Sequence, residues 1–178
     1  MSAAVFLAAA LTFLNGIADT LSVLAAVLLH EGGHAAACRL FRVPILFFHP
    51  VTVGAVIGYD AAGLSFPKEI AIAAAGPLVN LMSAAACLFC RNRFFMLFAA
   101  ASLSLALFNL LPLRHLDGGV ILFAAVSLFR GAEPAARITR IFSVMGTFFV
   151  WMCAVAVQLR CGGNLSLLLV SVYLLLRL

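Results

Sequence analysis

Residues 20–41 read TLSVLAAVLLHEGGHAAACRLF. As a helix this run is about 33 Å long, enough to cross a hydrocarbon core of about 30 Å. Within its apolar sequence it contains His30, Glu31 and His34, and ionisable groups at membrane depth are a functional hypothesis by default. The spacing is H-E-x-x-H. Positions i and i+4 share one helix face, so both imidazoles can grip one metal ion, with Glu31 beside them to take a proton from water. Chance placement of the four histidines and three glutamates predicts about 0.0015 such matches in 178 residues, so the pattern carries information. The bland alternative is a pair of helix histidines satisfied by their neighbours.

The rest of the chain supports a membrane location. Of 178 residues, 66% are apolar and 10% charged, whereas soluble domains run near 45–50% and about 25%. Such a chain is neither a soluble globule nor disordered. The formal charge of +5 comes from single basic residues at the ends of apolar runs, where cations anchor spans, so no nucleic-acid partner is expected. The five cysteines are odd in number and mostly intramembrane, which argues against a disulfide framework. Cys87 and Cys90 read as small packing residues one turn apart.

Charge-free runs predict the spans. Met1 to Ala18 is a short first segment without the basic start of a cleaved signal peptide, and Asp19-Thr20 is expected to break the chain and cap the next helix. Thr20 to Phe41 is the second span. Val43 to Phe66 carries Pro44, Pro50, Gly54, Gly58 and Gly63 among β-branched residues, which predicts a small re-entrant β-hairpin. Pro67 to Cys90 and Phe94 to Leu113 are the third and fourth spans. Gly118 to Phe129 is too short to cross, Arg130 to Arg140 is a basic connector, Ile141 to Leu159 is the fifth span, and Asn164 to Leu178 a short sixth. The expected fold is an all-α polytopic membrane protein of about six transmembrane helices, one domain over residues 1–178. Its core is 20–129, with accessory helices at 1–18 and 136–178. Six crossings put Arg39, Arg42, Lys68, Arg114, Arg130, Arg137, Arg140 and Arg177 on one side against Arg91, Arg93 and Arg160 on the other. The positive-inside rule then makes both termini cytoplasmic.

A catalytic zinc takes three protein ligands and a water. Few acids remain, and Asp117 stands out because it follows the fourth span at the membrane face where the second ends. Gly118-Gly119 after it would let another backbone approach closely. The alternative is that Asp117 caps the helix starting near Gly118.

The motifs His30-Glu31-Gly32-Gly33-His34, Ala75-Gly76-Pro77-Leu78-Val79-Asn80, and Asn109-Leu110-Leu111-Pro112 with Leu116-Asp117-Gly118-Gly119 occur in the order of a known family. Over roughly Thr20 to Phe129 the chain resembles the site-2 protease family of intramembrane zinc metallopeptidases, and within it the stage IV sporulation protein FB-like branch. The resemblance implies zinc (Zn2+) held by His30, His34 and Asp117, with Glu31 as general base and proton donor. It assigns Asn80 and Asn109 to substrate placement or the oxyanion; the alternative for each is an amide satisfying helix backbone or bridging helices.

It also implies a transmembrane protein substrate, a sigma-factor precursor by analogy with the sporulation branch, in a bacterial cytoplasmic membrane. With no room for a soluble regulatory domain, regulation is expected from membrane partners. Two features depart from the family pattern. Arg114-His115 stands where the family often has proline, bringing a histidine two residues from Asp117. Gly32 beside Gly33 weakens the helix by about 1 kcal/mol each relative to Ala, for which close packing of a neighbouring segment is the expected reason. His49, in the hairpin, is a further candidate to reach the cleft, the alternative being a histidine with no part in the site. Two other functions fit parts of the pattern: a non-proteolytic relative acting as a membrane scaffold, and a small transporter component using the histidines as a proton relay. No internal repeat of the transporter kind is present.

Overall fold

The computed structural model describes residues 17–51, 54–59, 63–87 and 89–161. Its elements in chain order are helix α1 (Ile17–Leu40), strands β1 (Ile45–Val51) and β2 (Gly54–Tyr59), and helices α2 (Phe66–Cys87), α3 (Arg93–Asn109), α4 (Asp117–Arg130) and α5 (Ala132–Cys161). The protein is mostly helical. Among the described residues, three helices are long and apolar enough to cross a membrane: Ile17–Leu40, Phe66–Cys87 and Ala132–Val157. At 17 residues, α3 reaches about 25 Å, short of a full core. The expected first and sixth segments lie outside the described residues, apart from the start of α1.

The chain divides into two compact units, residues 1–109 and 110–178. In the first, α1, α2 and α3 pack on one another and β2 lies against α1. The lower end of α1 is closed by a cluster of Ala37, Cys38 and Ile72, covered by Phe41, Val43, Leu64 and Ala75. At the other end Ser22, fully buried, donates to the Ala18 carbonyl at 2.8 Å and stands 3.4 Å from the Phe94 carbonyl on α3. Asn92 caps α3, its Oδ1 accepting from the Phe94 amide at 2.8 Å. The second unit pairs α4 with α5. The buried face of α5 carries Ala135, Thr139, Ser143, Thr147 and Ala154, while Phe142, Met145, Phe148, Phe149 and Met152 are exposed. Small residues inside and large apolar ones outside are the arrangement of helices that associate in lipid, where burying Leu or Phe brings little gain.

Three expectations need correction. Asp19-Thr20 does not break the chain: α1 begins at Ile17 and runs through it, with Asp19 in the first turn, where an acid suits the helix dipole. Asp19 also stands 3.7 Å from the exposed Arg93, a surface pair of small energetic weight. The basic connector is mostly helix, because α5 starts at Ala132 and takes in Arg137 and Arg140. Pro134 does not prevent this, since a first-turn residue has no intrahelical N–H partner to lose. The fourth span ends at Asn109, not Leu113. The hairpin itself is present and antiparallel, with an irregularity between Ile45 and Phe47.

Candidate metal centre

Helix periodicity carries His30 and His34 to the same face of α1, where both are buried, with exposures of 4% and 9%. Their Nε2 atoms are 3.2 Å apart, and the rings meet edge to face with centroids 4.8 Å apart. His34 Nδ1 lies 2.8 Å from the Ile72 carbonyl oxygen on α2. A carbonyl only accepts, so the neutral ring carries its proton on Nδ1 and directs a lone pair outward from Nε2. Glu31, also buried, follows His30 around the same helix.

This donor pair suits zinc. At bond lengths of 2.0–2.1 Å, two imidazole nitrogens on a tetrahedral ion are separated by about 3.3 Å, close to the 3.2 Å between the two Nε2 atoms. The backbone carbonyl on His34 Nδ1 is the outer-shell partner that orients a ligating imidazole.

Close approach of α2 makes the seat. A Cβ on Gly76 would run into the His34 imidazole, and one on Gly33 would lie 2.8 Å from the Ala75 carbonyl oxygen. The expected packing reason therefore holds for Gly33 but not for Gly32, around which a Cβ meets nothing within 4 Å among the described residues. Asn80, one turn beyond Gly76, is fully buried, with Nδ2 3.4 Å from His30 Nδ1.

In the second unit, Asp117 opens α4. The capping position belongs to Leu116, which makes no side-chain cap bond, so Asp117 is a first-turn residue and not the cap. A Cβ on Gly118 would collide with the Leu110 carbonyl, and one on Gly119 with that of Leu113. The Gly-Gly pair thus lets the chain fold back tightly on the start of α4, as expected. The same loop is fastened to α5: the Arg114 amide donates to Ser143 Oγ at 2.7 Å, and Leu113, nearly fully buried, lies over Gly146.

The remaining candidates are placed as follows. Asn109 ends α3, and its Nδ2 donates to the Leu105 carbonyl at 3.0 Å, so one of its two amide hydrogens satisfies helix backbone. His115 is exposed in the turn before α4. His49 is on β1, paired in register with Val56. The contribution of Ile72 was not legible beforehand, because a backbone carbonyl leaves no mark in a side-chain pattern.

Comparison with known proteins follows the same lines. Residues 90–153 match the family model of Peptidase family M50. Stage IV sporulation protein FB of Bacillus subtilis (strain 168) is 34% identical over 139 residues, which cover 73% of this chain and 48% of that protein. The chain therefore spans about half the length of the curated relative it matches. Among solved structures, the site-2 protease from Methanocaldococcus jannaschii aligns with a TM-score of 0.72 and 23% identity, over 96% of this chain and 82% of that one; at this identity the likeness concerns the fold.

Proposed function

The chain belongs to the site-2 protease family, within peptidase family M50, and from that premise we propose that it is an intramembrane zinc metalloendopeptidase hydrolysing peptide bonds within or near transmembrane segments of membrane proteins. The observation that carries the reading is the buried pair of Nε2 atoms 3.2 Å apart, one of them oriented by a backbone carbonyl, with a buried glutamate beside them.

In this reading His30, His34 and Asp117 hold the ion, a set of two imidazoles and one carboxylate suited to zinc. Zinc, when bound, polarises the scissile carbonyl and makes water a competent nucleophile near neutral pH. Glu31 takes the proton released as the water oxygen bonds to the carbonyl carbon. It then delivers that proton to the departing nitrogen as the C–N bond breaks, leaving a carboxylic acid and an amine. Asn109 keeps a second Nδ2 hydrogen to offer the developing oxyanion. The hairpin lies at membrane depth and offers an edge to an unwound substrate strand, which offsets the cost of exposing peptide groups in lipid. In this reading residues 1–178 are one transmembrane protease domain. A transmembrane precursor of a transcription regulator, such as a sigma-factor precursor, is the substrate class that the similarity to the sporulation protein supports.

The test compares the wild type with Glu31→Gln, co-expressed with candidate membrane substrates and also purified for metal analysis. The expected outcome is one zinc per chain in both proteins, with cleavage by Glu31→Gln reduced about 10²- to 10⁴-fold. Equal cleavage would sink the role of Glu31. Stoichiometric zinc without proteolysis would turn the reading to a scaffold, and absence of zinc to a transporter component. Membrane proteins left uncut in cells carrying only Glu31→Gln would identify the substrate.

A further inference from the structure

Two observations about Asn80 stand together. Its Nδ2 lies 3.4 Å from His30 Nδ1, long for a hydrogen bond between nitrogens. Its Oδ1 is buried and has no hydrogen-bond partner among the described residues. With Nδ2 donating to Nδ1, a neutral His30 must carry its proton on Nε2, aimed at the His34 Nε2 lone pair. That orientation leaves a buried carbonyl oxygen unpaired among the described residues and denies an ion the His30 lone pair.

The oxygen and nitrogen of an amide have nearly the same shape, and which is which follows from the hydrogen-bond network. Turning the Asn80 amide about its last torsion puts Oδ1 against His30 Nδ1. The buried oxygen then accepts a hydrogen bond, the His30 proton moves to Nδ1, and both imidazoles present Nε2 lone pairs to the same point.

We propose that Asn80 is a positioning residue: its side-chain oxygen accepts from His30 Nδ1 and so fixes the tautomer and ring plane that let His30 ligate zinc. This rests on the zinc-protease reading. It gives each histidine its own partner on α2, the Ile72 carbonyl for His34 and the Asn80 amide for His30. It also differs in chemistry from an oxyanion role, which requires Asn80 to donate.

The distinction decides the test, because aspartate accepts and does not donate, while leucine has a similar shape and does neither. Full-length wild type, Asn80→Asp and Asn80→Leu are purified in detergent. Zinc affinity is measured by chelator competition, and the visible spectrum is recorded after substitution with Co2+. The expected result is zinc binding weakened about 10- to 100-fold in Asn80→Leu with an altered Co2+ spectrum, and affinity and spectrum kept close to wild type in Asn80→Asp. Asn80→Leu binding zinc like wild type with an unchanged spectrum would overturn the proposal. So would Asn80→Asp losing zinc as severely as Asn80→Leu. Zinc retained by both variants, with Asn80→Asp inactive, would assign Asn80 to the oxyanion instead. A wild type that takes up no zinc would overturn the protease reading, and this proposal with it.

Discussion

At the scale of single residues, the histidine site is defined as much by what is missing as by what is present. The His34 ring occupies the volume that a methyl group on Gly76 would need. Neither the imidazole, held by the Ile72 carbonyl, nor the backbone of α2 can yield cheaply. Gly76→Ala is expected to destabilise the protein by about 1–3 kcal/mol, the usual range for overpacking. It should also lower zinc affinity, because the ring must turn away from its carbonyl. Thermal unfolding with and without zinc checks both effects; an unchanged zinc-dependent shift would show that the ring has another way to move. The His-Glu-His spacing is legible in sequence because helix geometry is local. That a glycine 42 residues downstream carves out the seat is not, because it depends on how two helices pair.

At the scale of elements, α1 carries an internal control. Gly32 and Gly33 are adjacent and look alike in sequence, yet only Gly33 faces neighbouring backbone. Gly32→Ala is expected to be neutral or to stabilise by up to about 1 kcal/mol through helix propensity. Gly33→Ala should destabilise, since α2 must move away from a Cβ 2.8 Å from the Ala75 oxygen. Melting temperatures of the two variants side by side test the assignment, and equal shifts would contradict it. The loop before α4 offers a second case. Ser143→Ala removes the acceptor of the Arg114 amide. It is expected to cost about 1–3 kcal/mol if that amide is left unpaired, and to loosen the loop that precedes Asp117. Amide hydrogen exchange across residues 110–118 should then speed up.

At the scale of the whole molecule, an integral membrane protein was evident from composition, and the orientation proposed from the basic residues is testable. A reporter fused after Arg93 should be active on the outer side, and one fused after Arg130 only in the cytoplasm; the reverse pattern would overturn the positive-inside assignment. The sequence alone determined the membrane class, the hairpin, the His-Glu-His face and the candidacy of Asp117. Each follows from local rules: hydropathy over a span, turn residues, the helical period, and the rarity of acids in an apolar chain. It misjudged where α1 and α5 begin, because an acid or a set of basic residues looks like a break in an apolar run but costs a helix little there. Only the tertiary structure decided that α2 supplies the Ile72 carbonyl to one histidine and the Asn80 amide to the other. The physical reason is that outer-shell partners are set by the register of two helices in close contact. That register is fixed by volume, through glycines whose neighbours are far away along the chain.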